Sequence, residues 1–526
     1  MSSSGVVILA VIVGLGLATV LLVGVGDRLG LPYPVLVLLL GAAMAIAPGI
    51  PTPKLDPELI LPIFLPPLVF AAVRRSSWPM VWARRRTILS LAIALVVVTI
   101  VAVASAVKAL IPGVTLAAAL ALGALVSPPD PVAAEAVAGK IHLPRRLETI
   151  LQTEGLCNDA TALVVYSVAV GAIGGHTFSV PRILGSFCYE IAVAIVIGWL
   201  IGWAGRWLMG RLTDPNARSG FTLVVPFGTY LLADAAHASG VLAVLTVGLI
   251  LGSAEAEETG VSDRLIGGAF WDTLELIVTG IAFGLMGLEL RAALDASPHI
   301  TSILGHMVIV CLIVIAVRFA WLLISGPLSR RLAATPDDAP RNWREDVVLG
   351  WAGMRGLATI ATALALPSDT PARGELLFTA FAVIAATLVL PGLTLPMLTR
   401  ALGVQGSAEA EQARIRPLAK RAAKAALIRL RELEASEDLP DDLVDRLRDR
   451  QRALVPALSD APSDDDRREQ LAEVTQRARL AGRTYAEMLS AARQAIVAAR
   501  SEPGTDPKTA DDMLRRLDLQ SARFEL

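Results

Sequence analysis

Cysteine, histidine and net charge are all scarce in this 526-residue chain. Its three cysteines, Cys157, Cys188 and Cys311, lie singly in apolar stretches, which excludes a disulfide framework and a cysteine-rich metal site. No H-E-x-x-H, G-x-S-x-G or phosphate-binding glycine loop occurs, so the common signatures of hydrolases and nucleotide enzymes are missing. The 47 basic and 48 acidic residues leave a formal charge of -1, which excludes a generally basic nucleic-acid binder. Charged residues are only 18% of the chain, below the roughly 25% of soluble domains.

Apolar residues fill the gap, at 54% of the chain with a mean hydropathy of +0.60. A membrane-crossing helix needs about 20 apolar residues. About 13 such runs are expected, at 5–26, 33–50, 57–73, 87–111, 115–138, 148–173, 183–209, 219–236, 238–253, 266–290, 300–325, 345–366 and 374–400. Backbone in lipid must satisfy itself, so the runs predict helices, and the alternating pattern of a β-barrel is absent. The first run has no basic leader and no clear cleavage site, and is expected to be a retained helix rather than a signal peptide. The predicted fold class is an all-α polytopic membrane protein.

Basic residues in short loops set orientation. Loops after odd-numbered runs hold Arg28, Arg74, Arg75, Arg84–Arg86, Lys140, Arg145, Arg146, Arg211, Arg218, Arg264, Arg330, Arg331, Arg341 and Arg344. Loops after even-numbered runs hold only Lys54, Arg182, Arg291 and Arg373, with Lys108 near one end. The N-terminus is therefore expected outside and the last run is expected to end in the cytoplasm. Composition then changes sharply: a membrane domain is expected over 1–403 and a cytoplasmic helical domain over 404–526. Leu418–Glu434 and Arg467–Arg500 have amphipathic spacing, with breaks at Ser459–Asp466 and Glu502–Asp506. No ligand motif appears there; a solvated tail that helps assembly is favoured over a regulatory domain.

Ionisable residues inside a span are costly and point to function. Ser127-Pro128-Pro129-Asp130-Pro131 cannot sit in a regular helix, because each proline lacks a donor and clashes with the preceding turn. The fifth run should unwind there, either as a simple kink with Asp130 capping its second half or as a break that lines an ion site. In Glu154-Gly155-Leu156-Cys157-Asn158-Asp159, Glu154 and Asn158 share one helix face and Asp159 lies about 100° round. One carboxylate needs a permanent partner, and Arg318 in the eleventh run can supply it, leaving Asp159 to exchange ligands. Gly353-Met354-Arg355-Gly356 marks a second break, with Arg355 as counter-charge for the half-helix C-termini. The two broken runs are seven apart and so antiparallel, the pattern of an inverted-repeat transporter. The hydroxyls of Ser127 and Thr153 are candidate ion contacts, or bond to backbone one turn back. Asp234 and His237 flank the turn between the eighth and ninth runs and are expected in surface or capping roles rather than in transport. Glu190 and Glu275 are open between the funnel and a partner subunit, Glu289 and Arg291 are expected at the interface, and Trp78, Trp82, Trp199, Trp203 and Trp207 are expected as anchors or packing.

The segments Leu65–Phe70, Asp130–Ala133, Glu154–Tyr166, Ser239–Val244, Phe283–Leu290 and Gly353–Gly356, in that order, resemble the electroneutral sodium/proton antiporters of the cation/proton antiporter superfamily. The resemblance covers nearly all of the membrane domain and none of the tail. It implies that Asp159 binds cation and proton in competition, that Glu154 pairs with Arg318, and that Asn158 goes with one-for-one exchange. It also implies a homodimer in the cell membrane, without cofactor, that serves sodium transport and pH homeostasis. Asp159 and Asp130, with Asn158, are the expected monovalent-cation residues. Two positions depart from archaeal relatives: Pro129 and Gly155 stand where a threonine and a serine contribute oxygens, which bears on the choice of Na+ over K+. The acid that follows the Leu65–Phe70 motif in animal exchangers is replaced by Ala71 and Ala72. The expected function is antiport of Na+, with Li+ as a further candidate, against H+; the alternatives are a K+/H+ antiporter and, further off, a cation channel.

Overall fold

The computed structural model describes residues 3–47, 57–74, 85–130, 134, 143–173, 180–258, 261–295, 300–332, 340–367, 369–406, 408–436, 440–448, 451, 492 and 495–496. The regular structure among them is entirely helical. The chain divides into two compact units, Met1–Gln405 and Gly406–Leu526.

The first unit contains α1 (Ser3–Leu29), α2 (Tyr33–Ile46), α3 (Pro57–Arg74), α4 (Leu95–Leu110), α5 (Leu116–Val126), α6 (Arg145–Ile173), α7 (Val180–Met209), α8 (Pro215–Ala235), α9 (Gly240–Glu258), α10 (Val261–Leu288), α11 (Ile300–Leu332), α12 (Trp343–Trp351), α13 (Leu357–Leu364), α14 (Arg373–Ile384) and α15 (Leu390–Leu402). Among the described residues, six helical stretches are long and apolar enough to cross a bilayer: Val6–Leu29, Leu89–Leu110, Gly185–Met209, Ile266–Leu288, Leu304–Arg331 and Arg373–Leu402. Shorter apolar helices cover Tyr33–Ile46, Leu59–Arg74, Leu116–Val126, Thr161–Ile173 and Gly240–Ala254.

These helices are apolar on both sides, so burial distinguishes the faces. Leu15 and Thr19, one turn apart in α1, are fully covered, whereas Leu17 and Leu21 are each 62% exposed. An outward-facing leucine suits a lipid neighbour rather than water. Helix approach in such a setting depends on small residues. Gly280, Gly284 and Gly287 make one face of α10: a Cβ on Gly280 would strike the Thr19 side chain, and one on Gly287 would strike the Leu38 carbonyl. Gly41 of α2 meets Gly284 in the same way, so no larger residue fits this crossing.

Two of the expected regular helices contain π segments, Leu89–Ala94 before α4 and Ala385–Val389 before α15. The expected break in the fifth run is present as the end of α5 at Val126, followed by non-helical Ser127–Asp130. The run at 345–366 is two helices, α12 and α13, separated by non-helical residues 352–356.

In the second unit α16 (Ala408–Ser436) contains the expected Leu418–Glu434 segment. Ala419, Ala423 and Leu430 are covered on one face of it, and Gln451 Nε2 donates to Ala423 O at 2.7 Å. The expected segment Arg467–Arg500 and the breaks at Ser459–Asp466 and Glu502–Asp506 lie essentially outside the described residues.

Candidate functional site

The end of α5, the middle of α6, α11 and the gap between α12 and α13 meet at one place. Glu154 and Arg318 are each 2% exposed and form a two-pronged pair: Nη1 donates to Oε1 at 2.5 Å and Nη2 to Oε2 at 2.9 Å. Arg318 also donates from Nε to Gly350 O and from Nη2 to Leu349 O, both at 3.2 Å. These are carbonyls at the C-terminal end of α12, which the helix cannot satisfy itself. A Cβ on Gly353 would overlap the Arg318 guanidinium, so the break is shaped around that arginine.

Arg355, also 2% exposed, attends to the other helix end. Its Nε donates to Val126 O at 3.0 Å and its Nη2 to Ser127 O at 3.3 Å, with Nη1 donating to Gly353 O. Each half-helix C-terminus thus has an arginine supplied by a different element, as the negative end of a helix dipole favours. The sequence pointed to Arg355 for this work; Arg318 shares it at α12.

Asp130 lies against the second break. Its backbone N–H donates to Met354 O at 2.6 Å, which ties the two breaks together. Its carboxylate abuts Gly356, where a Cβ would overlap it, at the N-terminal end of α13. That end carries positive partial charge and suits a carboxylate. The alternative that Asp130 caps the second half of its own run falls on residues 131–142, which lie outside the described residues except Ala134.

Asn158 is fully buried and points at the first break. Its Nδ2 donates to Pro129 O at 2.8 Å, and its Oδ1 is buried with no hydrogen-bond partner among the described residues. Pro129 therefore contributes through its carbonyl. Asp159, the next residue, is half-buried and faces a small cavity walled by Leu125, Pro128, Ala162, Leu163, Tyr166 and Thr362, with room for roughly one water molecule. Ser127 Oγ donates to Ala124 O at 3.2 Å, the back-bonded alternative. The side chain of Thr153 lies outside the described residues. Among the described residues no group of three or more His, Cys, Asp or Glu is arranged to hold a metal ion, and the oxygens gathered here are the carboxylates of Asp130 and Asp159, the Asn158 amide and backbone carbonyls. That donor set suits a weakly held, hard monovalent cation.

Other polar residues lie elsewhere. Asp234 and His237 are exposed, Glu190, Glu275 and Glu289 are half-buried, and exposed Arg291 donates to Ala45 O at 3.3 Å. Trp199, Trp203 and Trp207 face outward, while Trp78 and Trp82 lie outside the described residues. Sequence reasoning gave no role to Tyr166, although it lies seven residues, two helical turns, beyond Asp159 on the same face. It also counted Arg146 and Arg330 only as loop charges. They pair with Glu345 and Asp346, which are 4% and 1% exposed in the first turn of α12.

The sodium/hydrogen exchanger transmembrane family matches residues 15–401. The Na(+)/H(+) antiporter ApNhaP of Aphanothece halophytica is 32% identical over 400 residues, covering 75% of this chain and 74% of that one. A "sodium, potassium, lithium and rubidium/H(+) antiporter" of Bacillus pumilus is 28% identical over 387 residues, 70% of this chain and 58% of that one. The solved structure of the sodium proton antiporter MjNhaP1 from Methanocaldococcus jannaschii has the same fold, with a TM-score of 0.58 at 19% identity over 76% of this chain and 100% of that one. With the helices, the crossing breaks and these likenesses together, the chain belongs to the sodium/hydrogen exchanger family of multi-pass membrane antiporters.

Proposed function

We propose that the protein exchanges one monovalent cation, Na+ or Li+, for one proton by alternating access, without net movement of charge. The observation that carries this reading is Asn158 Oδ1, a buried acceptor with no protein partner among the described residues, next to Asp159 at the crossing of two helix breaks. An unmet buried acceptor costs about 1–3 kcal/mol, and a bound cation relieves it. In the proposed cycle, deprotonated Asp159 takes the cation with Asn158 Oδ1 and carbonyl oxygens near Asp130. Asp130 itself adds negative potential. The loaded site changes its exposure, the cation leaves, and a proton takes its place on Asp159 for the return. A bare carboxylate crosses poorly because carrying it through a low-dielectric barrier is expensive. That penalty couples the two fluxes. Glu154 is already matched by Arg318, which leaves Asp159 as the carboxylate that trades one charge for one.

In this reading about 13 helices cross the membrane with inverted repeats, the N-terminus lies outside and the tail from 404 lies in the cytoplasm, as the loop arginines favour. Two copies form a homodimer in the cell membrane, where exchange serves pH homeostasis. K+/H+ exchange is the second reading. It is favoured by Pro129 and Gly155, which bring no side-chain oxygen to the shell, and by the breadth of ions in the name of the Bacillus pumilus relative.

The test is reconstitution in liposomes. Pulses of Na+, Li+ or K+ at several pH values, with the membrane potential clamped at two settings, are followed by an internal pH dye. The expected result is proton movement that needs Na+ or Li+ and runs at the same rate at both potentials. Proton flux without any cation indicates a channel, a rate that scales with potential removes one-for-one exchange, and a response to K+ above that to Na+ moves the assignment to the second reading.

A further inference from the structure

The cavity beside Asp159 extends along α6 away from Glu154. Seven residues at 100° each bring Tyr166 within about 20° of the azimuth of Asp159, about 10.5 Å further along the axis. The walls between them, Ala162 and Leu163 of α6 and Leu125 of α5, are apolar. Thr362 also lines the far end, and its Oγ1 donates to Thr359 O at 3.2 Å.

Tyr166 lines this end. Its hydroxyl donates to Thr362 O at 2.8 Å and so joins α6, the helix of Asp159, to α13, the half-helix beyond the second break. The carbonyl is available because α13 ends there: Leu366 N–H donates to Ala363 O at 3.2 Å, one residue tighter than the α-helical pattern. The neighbouring carbonyls of Leu364 and Leu366 are held by Arg373, from the chain that continues α13 into α14, at 2.8 and 2.9 Å. Arg373 is thus a bond within one strand of chain, whereas Tyr166 is the bond across the cavity. With room for roughly one water between apolar walls, the cavity does not admit a cation with water around it while α6 and α13 remain joined.

We infer that Tyr166 is a gating residue, its hydroxyl latching α6 to α13 over the cavity of Asp159 on the extracellular side. The inference rests on the exchange reading and on the orientation proposed above. A latch made only in states closed to the outside stabilises those states, so its loss shifts the population toward outward exposure.

The experiment is Tyr166→Phe, which keeps the ring and removes the bond. A neutral hydrogen bond of ordinary net strength is worth about fivefold in such an equilibrium. Cation-driven exchange is measured in right-side-out and inverted vesicles, giving a half-saturating Na+ concentration for each face. The ratio of the outer to the inner value is expected to fall about fivefold, while the gel-filtration profile in detergent remains that of the wild type. A purely structural role shifts both faces alike. An unchanged ratio, or one that rises, with active wild-type protein overturns the latch alone; wild-type protein with no cation-driven exchange on either face overturns the exchange reading and the latch with it. Should the variant fail to assemble with the wild-type profile, Tyr166→Trp, which fills the neck and lacks the hydroxyl, is read by the same ratio.

Discussion

Glu154 and Arg318 are the residues whose removal the fold should feel most. Both are 2% exposed, and each is the partner that keeps the other's charge tolerable. Breaking a buried pair by removing one side costs about 3–5 kcal/mol, because the remaining charge is left without compensation. Glu154→Gln and Arg318→Met are each expected to lower the thermal midpoint in detergent, and the double variant to lose clearly less than the sum. Strict additivity in that cycle would show that the two do not depend on each other. The pair was legible in the sequence, since a carboxylate inside an apolar run needs a cation and Arg318 stands in such a run. The second task of Arg318, at the carbonyls of Leu349 and Gly350, was not, because it depends on where α12 stops. Nor was the choice of Val126 and Ser127 as acceptors for Arg355, which lies 229 residues from Val126.

At the scale of elements, three prolines and a glycine-flanked arginine announced the two interruptions, and the structure has them at Ser127–Asp130 and between α12 and α13. Proline chemistry acts locally and so is readable; the crossing of the two breaks is a long-range fact and is not. That crossing depends on Gly356, where a methyl group has no room beside Asp130. Gly356→Ala is expected to raise the half-saturating cation concentration at least tenfold in folded protein. Gly171→Ala, where a Cβ meets nothing within 4 Å, serves as the control and is expected to leave it unchanged. Equal behaviour of the two variants would remove Gly356 from the site. The π segments at Leu89–Ala94 and Ala385–Val389 left no mark in the sequence, since their residues are as apolar as those of the regular turns around them. Glu345 and Asp346 were missed for another reason: the start of a run next to loop arginines looks like a wet boundary, and only packing reveals that Arg146 and Arg330 cover them.

For the whole molecule, the near-zero net charge conceals a chain with its charges sorted. Most lie in loops and in the second unit, and the first unit keeps Glu154, Arg318 and Arg355 buried, with Asp130 and Asp159 half-covered among them. The helical class was readable because lipid leaves an apolar chain few alternatives, and the leucines facing outward on α1 agree with that. The carrier was readable only as far as chemistry goes: of two acids in six residues, Glu154 is matched by Arg318 and Asp159 is the one proposed to exchange ligands. The account therefore stands on Asp159. In liposomes loaded with a pH dye, an Na+ pulse on the wild-type protein is expected to move protons, and Asp159→Asn, which keeps the shape and removes the titration, is expected to move none while eluting in detergent as the wild type does. Wild-type proton movement by the Asp159→Asn protein would contradict the account.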